Sequence, residues 1–270
     1  MEPVRSAAQE AARMRDGARE LVDGGGAHLE TLLQLSSSDY TLPLSFAVLV
    51  GQLTDDLRLD AKAYHTPRVR GQSDVNTFPL RDIAQINPKR RENLTTSDEV
   101  PYVGLPDCEG TRITRVGRRP LAQIGSAPVA NAGDVLFARI EPSIFNKKYV
   151  FVDGPLVGQE FYTSTEFYVL RANRDVVLPG FLWAVLFTDY VYSQLENQTT
   201  GSSGRRRLNV DSLAAVSIPL PSMPAQDRLA TEMLTRRRTA QKYLEEAIAR
   251  WDSAKTDLQI ELLGWTASNA

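Results

Sequence analysis

The sequence has 270 residues, of which 42% are hydrophobic and 24% are charged, and its formal net charge is −2. This composition is typical of a globular protein, and it excludes wholesale disorder and a small disulfide-stabilised scaffold. A single cysteine, Cys108, and two histidines, His28 and His65, exclude the usual zinc clusters, so we expect no bound metal. Because the net charge is slightly acidic, any nucleic-acid site must be a local patch.

The first twenty residues are rich in Ala, Arg and Glu and lack the apolar stretch of a signal peptide. No window reaches the roughly eighteen consecutive apolar residues that a membrane span requires. The sequence therefore predicts a cytoplasmic protein with no membrane partner. Its length predicts roughly two domains, or one domain with a long appendage.

Apolar residues at helical spacing predict an amphipathic helix over residues 4 to 22. Three consecutive glycines, Gly24 to Gly26, are expected to interrupt this helix because each carries a high backbone-entropy cost. A short second helix is then predicted around Leu29 to Leu33. We assign residues 1–70 to an N-terminal helical region.

Residues 71–222 contain short apolar runs separated by turn residues, namely VPYVGL, GDVLFARI, KKYVFV, STEFYVL and VSIPLP. Their Val, Ile, Phe and Tyr content and their alternation predict the strands of one β-rich domain. The longer apolar run from Gly180 to Leu195 follows Pro179, and it predicts one largely buried helix.

Residues 223–270 predict one long C-terminal helix with a heptad seam. The seam positions follow one another at spacings of three and four: Ala230, Met233, Arg237, Ala240, Leu244, Ala247, Trp251, Ala254 and Leu258. Such a seam needs a partner helix, and the N-terminal helix is the other long candidate. We therefore predict an α+β fold in which the N- and C-terminal helices pair as an antiparallel, coiled-coil-like stalk beside the β-rich domain.

Catalytic motifs are missing from the sequence. The string closest to an adenine methyltransferase loop, Asn87-Pro88-Lys89, lacks the second proline and the aromatic ring that stacks on a flipped base. There is no phosphate-binding Gly-rich loop and no nucleophile elbow. The fragments of a nuclease motif, at Asp60 and Asp107, occur in the wrong order, and a lone His65 in a polar turn is typical of a structural residue. The sequence thus predicts a chain without catalytic residues.

Several short basic clusters lie in predicted loops, and each alone is typical of a solvated surface. The segment TTGSSGRRRL differs, because its backbone N–H groups and hydroxyls can bind phosphate while an arginine reaches a guanine. The predicted DNA contacts in this segment are Ser202, Ser203, Arg205, Arg206 and Arg207. Secondary candidates are Lys89, Arg90, Arg112, Arg115, Asn146, Lys147 and Lys148.

An ordered series of segments resembles the target recognition domain and following conserved helix of type I restriction-modification specificity (S) subunits. The segments are RLDAKAYHTPRV, LRDIAQINPKRR, VPYVGLPDCEG, GDVLFARIEPSIFNKK, STEFYVLR and TTGSSGRRRLNVDSLAAVSIPLPSMPAQDRLA. Residues 6 to 35 are similar to the helical region that precedes such a domain. The chain departs from the family at Ala225-Gln226, where Glu-Gln is usual.

The resemblance implies a non-catalytic subunit that reads double-stranded DNA. In this family an S subunit carries two recognition domains held apart by paired helices, and modification (M) subunits flip adenine and methylate its N6 with S-adenosylmethionine. That cofactor would belong to the partner methyltransferase, and no cofactor is expected on this chain. Restriction (R) subunits are a further candidate partner. With one recognition domain, the chain is similar to a half-size S subunit that pairs with a second copy or with another half S subunit.

Three other interpretations stay open at the level of sequence. The chain could be a specificity-like subunit of another phage-defence DNA methylation system. It could be a non-DNA protein-interaction scaffold, which the acidic net charge permits. A stand-alone enzyme is the third interpretation.

Overall fold

The computed structural model describes residues 2–33, 75–88, 98–153, 160–196, 198–201 and 206–263. The chain divides into two compact units, one formed by Met1–Gly25 with Thr231–Ala270 and the other by Gly26–Ala230. We call them the helical unit and the β-rich unit. Of the helices in the described ranges, none is long and apolar enough to cross a membrane.

The helical unit contains most of the two terminal helices, α1 (Glu2–Leu32) and α7 (Met223–Leu263). Glu10, near the start of α1, forms an ion pair with Arg250, near the end of α7. At the opposite end of the pair, Gly25 of α1 lies against Met233 of α7. The predicted antiparallel pairing of the terminal helices is therefore confirmed.

The facing sides of the two helices are formed mainly by small residues. On α1 the buried positions are Ala11, Ala18, Val22 and Gly25. On α7 the buried seam positions in this unit are Met233, Arg237, Ala240 and Ala247, while Leu244, Trp251, Ala254 and Leu258 are half-buried. The heptad seam of α7 thus lies on its buried side, and Arg237 is only 5% exposed there.

Helix α1 passes without a break through its three glycines, so the predicted interruption at Gly24 to Gly26 is wrong. The physical reason is close packing on two of them. A Cβ on Gly25 would collide with the Sδ of Met233, and a Cβ on Gly26 would lie 2.5 Å from the carbonyl oxygen of Phe187. These close approaches offset the entropy cost that glycine carries inside a helix.

The β-rich unit contains two four-stranded sheets and three two-stranded pairs. The strands of the two four-stranded sheets are β2 (Ala84–Ile86), β3 (Glu99–Val103), β6 (Gly117–Pro120), β7 (Val129–Ala130), β8 (Val135–Ala138), β9 (Tyr149–Phe151), β10 (Phe161–Thr163) and β11 (Phe167–Ala172). The first sheet has the order β6-β3-β10-β7, and the second has the order β2-β11-β8-β9. The short pairs are β1 (Thr77–Pro79) with β14 (Ser217–Pro219), β4 (Cys108–Glu109) with β5 (Arg112–Ile113), and β12 (Thr199–Thr200) with β13 (Arg207–Leu208). Every predicted apolar run contributes one strand, which confirms the α+β class.

Short helices connect the strands: α2 (Leu80–Ile83), α3 (Glu141–Phe145), α4 (Pro179–Val185), α5 (Asp189–Leu195) and α6 (Val210–Ala214). The single helix predicted from Gly180 to Leu195 is wrong, because α4 and α5 are separate. Thr188 causes the break: its hydroxyl accepts a hydrogen bond from the backbone N of Val191 at 3.3 Å and so caps the start of α5.

Large aromatic side chains form the centre of the β-rich unit. Phe137 and Tyr149 stack with ring centroids 4.6 Å apart, and Trp183 meets Phe187 edge-on at 5.0 Å. The Trp183 indole N–H donates to the carbonyl of Tyr149 at 3.0 Å. Under the first sheet a smaller cluster buries Leu121 and Ile124, and this cluster anchors the turn that follows β6.

Candidate nucleic-acid interface

The basic segment singled out by the sequence contains two short paired strands, and we call this strand pair the hairpin. Strands β12 and β13 pair antiparallel, with Thr199 opposite Leu208 and Thr200 opposite Arg207. Arg207 lies in β13 and Arg206 directly precedes it, at the end of the strand pair nearest the connecting residues. Ser202, Ser203 and Arg205, three of the predicted contacts, lie outside the described residues.

Arg207 is held by a two-point ion pair with Glu166. Its Nη2 lies 2.5 Å from one carboxylate oxygen and its Nε lies 3.1 Å from the other. This hydrogen bonding lowers the pKa of Glu166 and raises the pKa of Arg207. Because the arginine side chain is still 40% exposed, it is oriented by the carboxylate while remaining open to solvent.

Arg206 is tied to the hairpin and to α3. Its Nη2 donates to the carbonyl of Thr199 at 2.9 Å, and its Nε lies 3.6 Å from a carboxylate oxygen of Glu141. The Thr199 hydroxyl donates to the same carboxylate at 3.1 Å, and the Glu141 backbone N donates to the Arg206 carbonyl at 3.0 Å. These contacts fix the two paired strands of the hairpin against the first turn of α3.

A third arginine stands beside Glu166. The Arg139 guanidinium lies over the ring of Tyr168, 4.9 Å from its centroid, and its charge also lowers the pKa of Glu166. The group of Arg139, Arg206 and Arg207 with Glu141 and Glu166 therefore carries a net positive charge. Such a cluster favours a polyanion such as the DNA backbone.

Two of the three lysines among the secondary candidates, Lys147 and Lys148, are engaged within the fold. The ammonium of Lys147 donates to the carbonyl of Phe187 at 3.0 Å and lies 3.3 Å from a carboxylate oxygen of Asp189. The ammonium of Lys148 donates to the carbonyl of Leu105 at 2.8 Å. Both side chains are half-buried, so their described contacts are structural.

The remaining secondary candidates are scattered. Arg115 is 75% exposed and forms an ion pair with Asp107 at 2.6 Å, while Arg112 is half-buried in β5. Asn146 is exposed at the end of α3. Lys89 and Arg90 lie outside the described residues.

A surface cavity of about 320 Å³ lies beside the turn formed by Thr165 and Glu166. It is lined by Tyr102 of β3, by Thr165, and by the turn of residues 123–127 that follows β6. We call it the Tyr102 cavity. Sequence reasoning did not select it, because its lining residues are distant along the chain and only the fold brings them together.

No metal or thiol chemistry is evident in the described part of the chain. Within those ranges, no three His, Cys, Asp or Glu side chains are grouped to hold a metal ion. Cys108 is buried, and burial raises the pKa of its thiol to about 12.

Residues 72–239 match the family model described as the type I restriction modification DNA specificity domain. This match covers more than half of the chain and includes both the hairpin and the Tyr102 cavity. The chain belongs to this family. The resemblance noted from the sequence is thereby confirmed.

Two curated specificity subunits are similar in sequence to this chain. The type I restriction enzyme HindI specificity subunit of Haemophilus influenzae is 26% identical over 160 residues, which are 58% of this chain and 34% of that subunit. The EcoAI specificity subunit of Escherichia coli is 27% identical over 157 residues, which are 56% of this chain and 26% of that subunit. The matched part of the chain thus spans about a third or less of these relatives.

A solved structure is similar as well. The HsdS subunit from Thermoanaerobacter tengcongensis is 25% identical, with a TM-score of 0.50, and the match covers 64% of this chain and 45% of that one. The fold of the matched part of the chain is therefore shared with that HsdS subunit.

Proposed function

We propose that this chain recognises one half-site of double-stranded DNA for a type I adenine-N6 methyltransferase and itself carries out no catalysis. The observation that carries the proposal is the specificity-domain match over residues 72–239, which contains the net-positive arginine cluster at the hairpin. Salt-dependent attraction to phosphates would come from such arginines, and discrimination would come from side chains that reach base edges.

In this proposal the modification subunits supply the reaction. They bind S-adenosylmethionine, flip the adenine and methylate it, while this chain places them on the target sequence. A second copy of this chain would read the other half-site. A two-fold dimer would then select an interrupted palindrome, because the symmetry of the protein is imposed on its half-sites.

The direct test is the methylation pattern of cells with and without the gene. Long-read sequencing is expected to show one interrupted adenine motif that disappears when the gene is deleted and returns with a plasmid copy. An unchanged pattern would contradict the proposal and favour a protein-interaction scaffold. Methyl transfer to DNA by the purified chain alone, with S-adenosylmethionine, would contradict its non-catalytic role.

The arginine cluster can be tested in the complex with the methyltransferase. Arg206→Ala with Arg207→Ala is expected to weaken DNA binding at every sequence. The slope of log K against log salt should become shallower by about 1 for each arginine that no longer reaches a phosphate. Arg174→Ala is the matched control, because Arg174 is an exposed arginine of the same unit away from the hairpin. If the wild type, the double variant and Arg174→Ala bind DNA equally well, the arginine cluster has a structural role only.

The proposed pairing of two copies of this chain can be tested separately. Light scattering of the purified complex is expected to give two copies of this chain, and a two-fold target motif should accompany them. A single copy with an asymmetric motif would point to a different half S subunit as the partner.

A further inference from the structure

The Tyr102 cavity presents hydrogen-bonding groups that the fold does not use. Gln123, Ser126 and Thr165 line it, and all three are exposed. Within the described ranges, their side chains have no hydrogen-bond partner. An amide and two hydroxyls, each able both to donate and to accept, therefore face one opening.

The backbone that carries these groups is held rigidly. Leu121 and Ile124, on either side of Gln123, are buried in the cluster under the first sheet. The Ile124 backbone N donates to the Leu121 carbonyl at 3.1 Å, and the Ala127 N donates to the Ile124 carbonyl at 3.0 Å. Gly125 between them has φ +53°, which suits glycine and closes the turn tightly. Binding at this turn would cost little conformational entropy, because the backbone is already ordered.

A cation stands next to the cavity. Val100 of β3 lies opposite Arg119 of β6, and the Arg119 guanidinium stacks over the ring of Tyr102, 4.1 Å from its centroid. The stacked position orients the planar guanidinium while Arg119 remains exposed. The cavity thus combines neutral hydrogen-bonding groups with a pre-oriented positive charge.

The cavity and the arginine hairpin share one short turn. Thr165 lines the cavity, and the next residue, Glu166, holds Arg207. The Ser164 backbone N donates to the carbonyl of Val103 at 3.0 Å, and the Arg139 N donates to the carbonyl of Glu166 at 2.9 Å, so both sides of the turn are fixed. A DNA duplex on the hairpin arginines would therefore lie within reach of the cavity.

We propose that the Tyr102 cavity is a base-reading site, in which the Gln123 amide makes a bidentate contact with a base edge and Arg119 holds the adjacent DNA. This inference rests on the proposed function and assigns its specificity to residues outside the basic hairpin. Glutamine pairs in this way with adenine N6 and N7, and serine or threonine hydroxyls add contacts to either kind of base. Neutral reading groups with one flanking cation suit base discrimination, whereas the hairpin, with its arginine cluster, suits phosphate attraction.

The experiment selects DNA from a library of duplexes with a randomised half-site, using the chain in complex with its methyltransferase. Gln123→Ala is expected to lose selection at one base position and to bind the original site roughly 5- to 150-fold more weakly, the worth of one bidentate base contact. Gln123→Glu is expected to shift the preferred base at that position towards cytosine, whose N4 amine donates to a carboxylate. Arg119→Ala is expected to weaken binding at all sequences without changing the selected motif.

Gln85→Ala is the matched control, because Gln85 is an exposed glutamine on β2 that does not line the cavity. It should select the wild-type motif with wild-type affinity. If the wild-type complex selects a motif and both Gln123 variants select the same motif equally well, the base-reading assignment is wrong. If the wild-type complex selects no motif at all, the proposed function itself fails.

Discussion

The helical unit and the β-rich unit differ in the side chains that form their interiors: small in the first and large in the second. Helices α1 and α7 meet through positions such as Ala11, Ala18 and Ala247. The β-rich unit has Trp183 and Tyr149 at its centre, both fully buried. Small residues let two backbones approach closely, whereas large rings fill a volume that several elements enclose. The helical unit should therefore be sensitive to enlargement and the β-rich unit to truncation.

The largest effect is expected from truncating the aromatic centre. Trp183→Ala removes a fully buried ring together with its hydrogen bond to Tyr149, and we expect a loss of about 3–5 kcal/mol of unfolding free energy. Urea denaturation followed by near-ultraviolet circular dichroism measures it. Phe145→Ala, at a ring that is 48% exposed, is the control and should cost far less. A small loss of stability in Trp183→Ala would contradict the expectation that the β-rich unit is sensitive to truncation.

Enlargement should be the damaging change between the helices. Ala247→Leu places a larger side chain at a fully buried position, and we expect a loss of about 1–3 kcal/mol by overpacking. The same substitution at Ala12, which is exposed on α1, should be nearly neutral. Thermal unfolding of the two variants followed by far-ultraviolet circular dichroism separates them. Equal melting temperatures would show that the seam tolerates extra volume.

The glycines of α1 give a pair of substitutions with opposite signs. Gly24 has open space where a Cβ would stand, so Gly24→Ala should gain up to about 1 kcal/mol from helix propensity. At Gly26 a Cβ would press on the backbone of Phe187, so Gly26→Ala should lose about 1 kcal/mol net despite the same propensity gain. Chemical denaturation of both variants measures the difference. Stabilisation by both would mean that close packing does not explain the unbroken helix.

The smallest effects on stability are expected from the ion pairs at the surface of each unit. The Glu166 carboxylate has a lowered pKa, so its stabilising contribution is present above the unfolded-state pKa, about 4.3, and is lost as pH falls through the folded-state value. Glu166→Gln should therefore be less stable than wild type at pH 7 and equal to it in strong acid. Denaturation curves from pH 7 down to below the folded-state pKa of Glu166 check this variant. A difference for Glu166→Gln that persists at the acid end would contradict the assignment.

Arg250→Ala in the helical unit, which breaks an exposed pair with Glu10, should cost about 0.2–1 kcal/mol at most. Denaturation curves at pH 7 check this second variant.

Much of the fold could be predicted from the sequence because its signals are local. Seam spacing from Met233 to Leu258 indicates the long helix, and alternation in runs such as GDVLFARI indicates the strands. The unbroken α1 could not be predicted, since the partners of Gly25 and Gly26 are more than 150 residues away. The break at Thr188 carried a local signal, a capping residue followed by Asp189, but the apolar run around it masked that signal.

The candidate site was predicted only in part, for the same physical reason. Arg206 and Arg207 are visible as a basic run, but their carboxylate partners, Glu141 and Glu166, come from distant segments. The stacking of Arg119 on Tyr102 depends on the pairing of β3 with β6, which no short motif records. The DNA contacts predicted for Arg206 and Arg207 stay predictions, as do those of Ser202, Ser203 and Arg205 and of the secondary candidates.

In the turn after β6, the residues that anchor the backbone are different from those that are exposed to solvent. Leu121 and Ile124 face inwards, while Ala122, Gln123 and Ser126 face solvent. Exchange of the outward side chains would leave the anchoring contacts intact, so this short stretch of chain can vary without endangering the domain that carries it. A combinatorial library at positions 122, 123 and 126 would accordingly yield many folded proteins, each with a different set of side chains at the proposed base-reading site.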